Sequence, residues 1–268
     1  MSSSPAATPL AAASPVSQAS PLVMRVIGAC ALAHLINDLI QAVLPAISPM
    51  LTLNYGLSFA QIGLITLTFQ LTASLLQPWV GYHTDRHPKP WLLPAGSLCT
   101  LVGILMLAFV GSFPAILMAA ALVGIGSSTF HPEASRIARL ASGGRYGLAQ
   151  STFQVGGNAG TALGPLLAAA IIIPYGQGNV AWFGLFAAFA IVVLYGLSRW
   201  YRHHLTLFKL KQGGVATHGL SAGRVKFALL ILALLVFSKY FYMASFTSYF
   251  TFYLIEKFDL SVASSQLH

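Results

Sequence analysis

Charged side chains are scarce in this sequence: Asp, Glu, Lys and Arg make up 7% of its 268 residues, and hydrophobic residues make up 56%. Soluble domains usually carry about a quarter charged residues, so a soluble enzyme and a disordered chain are both excluded. Five acidic residues stand against fourteen Lys and Arg, but the basic residues form short clusters without interleaved aromatics, which argues against nucleic-acid binding. The apolar runs are continuous rather than alternating, which excludes a β-barrel. The sequence therefore predicts an all-α membrane protein that crosses the bilayer several times.

Cysteine is scarce, and the phosphate-binding loop of nucleotide-binding proteins is absent. The two cysteines, Cys30 and Cys99, lie in apolar runs without the spacing of a disulfide framework or a zinc site. No GxxxxGK[ST] loop is present, so this chain does not use ATP to move a solute. His83 and His87 have the i, i+4 spacing of metal ligands, but they flank Asp85 in a basic loop. We therefore expect neither a cofactor nor a metal ion.

Seven apolar stretches are long enough to cross a membrane. A hydrocarbon core about 30 Å thick takes about 20 helical residues. The stretches cover residues 24–48, 58–80, 91–111, 115–136, 148–173, 179–198 and 226–254.

The connections between these stretches differ in charge, and this difference predicts the orientation. Twelve Lys and Arg lie on one side, in the alternate connections and before the first span, and Lys257 alone lies on the other side. Basic loops stay on the cytoplasmic side, so the N-terminus is expected there. The predicted organisation is a disordered cytoplasmic tail at 1–22, a six-helix transporter half at 23–198, a cytoplasmic linker at 199–225 and the start of a second half at 226–268. The last eight residues begin a further span too short to cross, so we expect a fragment of a longer protein.

Three ionisable side chains within the spans are candidate functional groups, because such groups are costly in a bilayer. Asp38 and Glu133 are predicted proton carriers, since a carboxylate in a poorly hydrated cavity keeps its proton more readily than one in water. For Glu133 a structural ion pair with Arg136 or Arg139 is an equal alternative. Lys239 either anchors an anionic substrate or neutralises Asp38.

Polar residues recur at helical spacing on four of the spans. Each set is expected to line a shared cavity or to form hydrogen bonds between helices. The stripes are His34, Asp38 and Gln41; Gln70, Ser74 and Gln77; Gln150, Gln154 and Asn158; and Ser238, Tyr242, Ser245 and Tyr249. The predicted substrate-binding residues are His34, Asn37, Gln70, Gln154, Asn158, Lys239 and Tyr242.

Two motifs resemble signatures of the major facilitator superfamily. The loop GYHTDRHPKP resembles GxxxDRxGRK, with Gly81, Asp85, Arg86 and Lys89 matching. The run GTALGPLLAA resembles the antiporter signature GxxxGPxxGG, with Gly160, Gly164 and Pro165 matching and alanines in place of the last two glycines. The Arg of the family's fourth-span signature is absent, so no proton-relay role is carried over to that position.

Longer runs, among them HLINDLIQ, STFHPEASR and GLAQSTFQVGGN, are similar to drug-efflux antiporters of this superfamily. The resemblance implies a twelve-helix major facilitator fold, of which this chain holds the first seven helices. It implies proton-coupled efflux of a small drug-like anion across the bacterial inner membrane, with protons, drug and lipid bilayer as partners and a second half required for a complete carrier. It also assigns a gating role to Asp85 and Arg86 at the junction of the second and third helices, to which we add the basic residues Lys89, Arg136 and Arg139 nearby.

Two other function classes remain as alternatives. A seven-helix retinal receptor would use Lys239 as its Schiff base, but such receptors place the N-terminus outside, against the charge pattern. An intramembrane hydrolase could use His131 and Glu133, but the sequence lacks a paired motif such as HExxH.

Overall fold

The fold is a bundle of long helices, seen in a computed structural model that describes residues 22–211 and 221–259, with the side chains of 22–205, 221–239, 241–242, 253–254 and 257–259. The predicted all-α fold class is confirmed, and no strand occurs in the described ranges. Six helices among these residues are long and apolar enough to cross a membrane. The helices are α1 Met24–Tyr55, α2 Phe59–Arg86, α3 Leu92–Phe109, α4 Phe113–Leu140, α5 Tyr146–Tyr175, α6 Phe183–Lys211 and α7 Ala222–Phe258.

Each apolar stretch of the sequence coincides with one of these helices, but most helices continue beyond it. The largest extension is in α6, which runs through residues 199–211, the first part of the segment predicted as a linker. A short 3-10 turn, Gln177–Trp182, leads into α6. The predicted tail at 1–21, the middle of the linker at 212–220 and the chain beyond 259 lie outside the described residues.

The closest helix contact joins α1 to α5, through glycines repeated every fourth residue on α5. A Cβ added to Gly156 or to Gly160 would overlap the carbonyl oxygens of Ala31 and Leu35. One turn further, a Cβ on Gly164 would lie 2.6 Å from the Leu39 carbonyl oxygen. Backbone can approach backbone this closely only where the side chain is a hydrogen atom.

Two helices contain irregular turns where they leave the regular hydrogen-bond pattern. In α5, Pro165 has no N–H to donate, and a π-helical turn follows at Ala168–Ile172. In α2, a π-helical turn at Leu71–Leu75 separates the first half from the half that carries the GYHTDRHPKP motif.

The short connections at one end of the bundle are tied together by Tyr55, the last residue of α1. Its hydroxyl lies 2.6 Å from the Val110 carbonyl oxygen after α3 and 2.8 Å from the Gln177 side chain before α6. Gly56 ends α1 with φ of 60°, and Ser58 and Gln61 cap the start of α2 reciprocally. At the opposite end, buried apolar side chains around Phe130, Phe153 and Tyr201 form a second core cluster.

Candidate functional site

His34, Asp38 and His131 form a cluster between α1 and α4. His34 Nε2 lies 3.2 Å from Asp38 Oδ2, one helical turn along α1, and His131 Nε2 approaches Asp38 Oδ1 to 3.8 Å. His34 is 4% exposed, while Asp38 and His131 are 19% and 27% exposed, so the cluster is open to one side. One carboxylate is thus shared by two imidazoles.

The ring of His34 is held in one orientation by α5. Its Nδ1 lies 2.8 Å from the Phe153 carbonyl oxygen, which can only accept, so Nδ1 carries the hydrogen and Nε2 faces Asp38. The Phe153 ring stacks on the imidazole at a centroid distance of 4.1 Å. Gly157, one turn further along α5, lies against Cε1 and Nε2 of the ring, where a Cβ would overlap the imidazole and lie 2.9 Å from Asp38 Oδ2.

Two amides and a hydroxyl fix the carboxylate of Asp38. Asn37 Nδ2 and Gln41 Nε2 donate to Asp38 Oδ1 at 3.0 and 3.2 Å. Gln41 is in turn held by Ser127 of α4, whose hydroxyl donates to Gln41 Oε1 at 3.0 Å. The carboxylate therefore has a chain of hydrogen bonds that joins α1 to α4.

The open side of the cluster faces a polar cavity of about 760 Å³ between α1, α2, α4 and α5. Two members of each of the first three polar stripes contribute to its wall, and no Lys or Arg is among the described lining residues. The lining residues are His34, Asp38, Ser74, Gln77, Pro78, His131, Pro132, Ser135, Gln150, Phe153 and Gln154.

A separate charged network occupies the end of the bundle where α2 and α4 meet. Arg136 Nη1 donates to Glu133 Oε1 at 2.6 Å, and its Nη2 donates to Thr84 Oγ1 at 3.2 Å and to Asp85. Glu133 is fully buried, and its Oε2 has no hydrogen-bond partner among the described residues. The hydroxyl of Tyr201 on α6 is also buried without a hydrogen-bond partner among the described residues. Glu133 therefore has the ion pair that the sequence left as an alternative.

The other predicted gating residues lie around this network without joining it. Arg86 stacks over the ring of Tyr82 at 3.6 Å, and Arg139 lies 5.0 Å from the ring centroid of Tyr146. A Cβ on Gly81 would be in ordinary contact with Pro132 of α4, which places the motif loop against that helix. Lys89 is partly exposed and caps the start of α3 through its carbonyl.

Several predicted substrate-binding residues lie away from the cavity. Gln70 is exposed and accepts a 3.5 Å hydrogen bond from Ser74. Asn158 is exposed and accepts a 3.3 Å hydrogen bond from Gln154, which does line the cavity. Lys239 and Tyr242 are exposed on α7 and are not among the lining residues. The structure thus does not bring Lys239 to Asp38 around this cavity.

The sequence pattern identified His131 only as a candidate for hydrolysis, and it did not single out Gly157. The His34–Asp38–His131 ligand atoms lie within 4.8 Å of one another, a spacing that could hold a metal ion, although the sequence predicted none. The sequence does contain a signal for the cluster. The first and fourth spans each carry a histidine close to a carboxylate, His34 with Asp38 and His131 with Glu133.

Known sequences similar to this chain were found in two bacteria. The family model of the Major Facilitator Superfamily matches residues 30–267. The Fosmidomycin resistance protein of Escherichia coli (strain K12) is 59% identical over 243 residues, which are 91% of this chain and 60% of that protein. The uncharacterized MFS-type transporter YfnC of Bacillus subtilis (strain 168) is 39% identical over 247 residues, with the same coverage. The chain thus spans about 60% of the length of these relatives.

Solved structures with a similar fold include a mutant of the peptide transporter POT, with a TM-score of 0.58 and 18% identity over 84% of this chain and 47% of that one. The same transporter in complex with sulfate gives a TM-score of 0.56 and 17% identity, over 91% of this chain and 50% of that one. At this identity the likeness concerns the fold alone.

Proposed function

Because the chain belongs to the Major Facilitator Superfamily, we propose that it takes part in the proton-coupled efflux of a small drug-like anion such as fosmidomycin. The membrane is the bacterial inner membrane, with the N-terminus in the cytoplasm, since the basic connections lie on that side. The Escherichia coli relative is a fosmidomycin resistance protein, and its 59% identity to this chain supports this substrate. The retinal-receptor alternative receives no support from these relatives.

The observation that carries the proposal is the polar cavity with Asp38 at its wall. Asp38 is the carboxylate among the described lining residues, and it is partly exposed and adjacent to two imidazoles that can share its proton. Glu133 was the other predicted carrier, but it is held by Arg136 and is fully buried. We therefore assign the proton to Asp38, and the substrate to the amide-lined part of the cavity around Gln77, Gln150 and Gln154.

We assign the gating role to the Arg136 network. Asp85 is on α2 and Arg136 is on α4, so their ion pair joins the two helices at the cytoplasmic end. The pair closes the gap between the helices when it is formed and releases α2 when it breaks. Small residues on α5 keep α1 and α5 together as one body while the other helices rock against it.

The experiment joins this chain to the remaining part of the Escherichia coli relative and expresses the chimera in cells that accumulate fosmidomycin. We expect reduced accumulation and increased resistance, and we expect Asp38→Asn to remove both while the membrane level of the protein stays unchanged. Gln70→Ala, which alters an exposed polar residue outside the cavity, is the matched control and should keep activity.

Exchange of drug for protons requires that the protein does not bind the drug and the proton at the same time. The apparent affinity of the chimera for fosmidomycin should therefore fall as the pH is lowered, and Asp38→Asn should remove this dependence. A rise in affinity at low pH would mean that drug and proton bind together, which contradicts exchange. Full resistance of the Asp38→Asn chimera would contradict the assignment of the proton.

A further inference from the structure

The His34–Asp38–His131 cluster has the composition and spacing of a transition-metal site, and we propose that it binds one divalent ion of the zinc class. The three ligand atoms come from α1 and α4 and lie within 4.8 Å of one another. Zinc bonds of about 2.0–2.2 Å set the ligand atoms of a tetrahedral site about 3.3–3.6 Å apart. The distances to Asp38 lie close to this range: His34 Nε2 is 3.2 Å from Oδ2 and His131 Nε2 is 3.8 Å from Oδ1, so the carboxylate would face the ion with both oxygens.

The hydrogen bond of His34 places its lone pair on the nitrogen that a metal would need. Because Nδ1 donates to the Phe153 carbonyl oxygen, the neutral ring has its lone pair on Nε2. This lone pair faces the Asp38 carboxylate at 3.2 Å, and two such groups repel each other unless a positive charge lies between them. Either a proton shared by the two groups or a metal ion bound by both supplies that charge, and the ion also uses the third ligand, His131.

The surroundings of the cluster match those that orient metal ligands. Ligating histidines donate their second nitrogen to a carbonyl or carboxylate, and ligating carboxylates accept further hydrogen bonds. His34 has the Phe153 carbonyl oxygen in this role, and Asp38 has the amides of Asn37 and Gln41. Two of the three ligands, His34 and Asp38, are therefore held in place before an ion arrives.

Three protein ligands leave one position of a tetrahedral ion open, and here that position faces the cavity. Sites of this kind exchange water or substrate at the open position, whereas structural zinc sites use four protein ligands. The described lining residues include no Lys or Arg, so a bound ion would be the fixed positive charge of the cavity. An oxygen of an anion is the ligand that suits the open position. Two imidazoles and one carboxylate favour zinc, cobalt or nickel over magnesium and calcium.

The test titrates Zn²⁺ into the purified 268-residue chain in detergent, without a polyhistidine tag, and measures binding by calorimetry. We expect one equivalent of Zn²⁺ with a micromolar or tighter dissociation constant, and no comparable binding of Mg²⁺. His131→Ala should weaken the binding about tenfold or more, and this partly exposed residue can be removed with little effect on folding. Asp38→Asn, which keeps the side-chain shape, should do the same.

The matched control is the double variant His83→Ala and His87→Ala. It removes two histidines whose rings are 5.3 Å apart outside the cluster, and it should keep the full affinity. Zn²⁺ should also raise the Tm of the wild-type chain and of this control, but not of His131→Ala. Any one of three results would overturn the proposal: no stoichiometric binding of Zn²⁺ to the wild-type chain, unchanged affinity in His131→Ala, or loss of binding in the control. An ion on Asp38 and a proton on Asp38 exclude each other, because a ligating carboxylate is deprotonated. None of these measurements depends on transport, so they test the ion site separately from the proposed function.

Discussion

Helix α4 contributes to two polar clusters through residues that are two positions apart in sequence, and the two clusters differ in their burial. His131 belongs to the cavity cluster, whereas Glu133 belongs to the Arg136 network. Two residues are about 200° apart around a helix, so these neighbours in sequence lie on opposite faces. The cavity cluster is partly exposed and places one carboxylate beside two imidazoles. The network holds a fully buried carboxylate against a guanidinium.

The sequence predicted both Asp38 and Glu133 as proton carriers, with an ion pair as the alternative for Glu133, and this difference separates the two residues. A group that exchanges protons needs access from the cavity, and the partly exposed Asp38 has it. A group that links two helices needs partners on both of them, and Arg136 has two carboxylates and a threonine. Substitutions in the buried part of the network should therefore affect stability most, and substitutions at its exposed end should affect mainly the local structure.

The largest effect on stability is expected for Arg136→Ala. Removal of the guanidinium leaves Glu133 as an uncompensated charge in a fully buried site, and this costs about 3–5 kcal/mol of unfolding free energy. Unfolding of the chain by sodium dodecyl sulfate, followed by tryptophan fluorescence, measures the change.

Arg139→Ala is the control for this loss, since it removes an exposed arginine from the same helix and should cost about 1 kcal/mol or less. Adding Glu133→Gln to Arg136→Ala should recover most of the loss, because no buried charge then remains. Equal losses in Arg136→Ala and Arg139→Ala would mean that the network does not stabilise the bundle.

An intermediate effect is expected for Gly160→Ala, on the side of the cavity cluster. The added methyl group would overlap the Leu35 carbonyl oxygen, so α1 and α5 must separate, at a cost of about 1–3 kcal/mol. Gly147→Ala is the matched control on α5, where a Cβ meets nothing within 4 Å; it should be neutral or slightly stabilising. The same unfolding titration compares the two. A loss in Gly160→Ala no greater than in Gly147→Ala would contradict the close contact of α1 and α5.

Much of the fold could be predicted because apolar runs of bilayer length determine the helices. The ends of the helices could not, since hydropathy marks the part of a helix in hydrocarbon and not its continuation into water. This is why α6 continues to Lys211, through residues too polar to count as a span. Likewise Tyr55 ends α1 in a polar connection, where hydrogen bonds to two other connections hold it.

The site could be predicted only where its residues share one helix. His34 and Asp38 face the same way because they are one turn apart, and this relation is visible in the sequence. The contact of His131 with Asp38 depends on how α1 and α4 are rotated against each other, which no local spacing encodes. The same limit applies to Gln70, whose stripe reaches the cavity through Ser74 and Gln77 while Gln70 itself is exposed.

The smallest effect on stability is expected for Asp85→Asn, which removes the exposed end of the network. The Asp85 side chain is 68% exposed, and exposed ion pairs contribute about 1 kcal/mol or less. Arg136 keeps Glu133 and Thr84, so the buried part of the network stays intact. The local effect should be larger than the global one, because the ion pair is one of the contacts that hold the second half of α2 to α4, beside the hydrogen bond from Arg136 to Thr84. Hydrogen–deuterium exchange of Leu76–Arg86 should therefore become several times faster, while exchange in α5 stays unchanged.

The matched control for this variant is Asp259→Asn, an exposed aspartate after α7 with φ of 56°. Asparagine tolerates this left-handed conformation as well as aspartate does, so neither stability nor exchange should change. If Asp85→Asn leaves exchange in Leu76–Arg86 at the level of Asp259→Asn, the ion pair does not hold α2 and the gating role fails. If Asp85→Asn instead destabilises the chain as much as Arg136→Ala, the network acts as one rigid unit. The distinction between the buried pair of Arg136 with Glu133 and the exposed, releasable pair of Arg136 with Asp85 would then not hold.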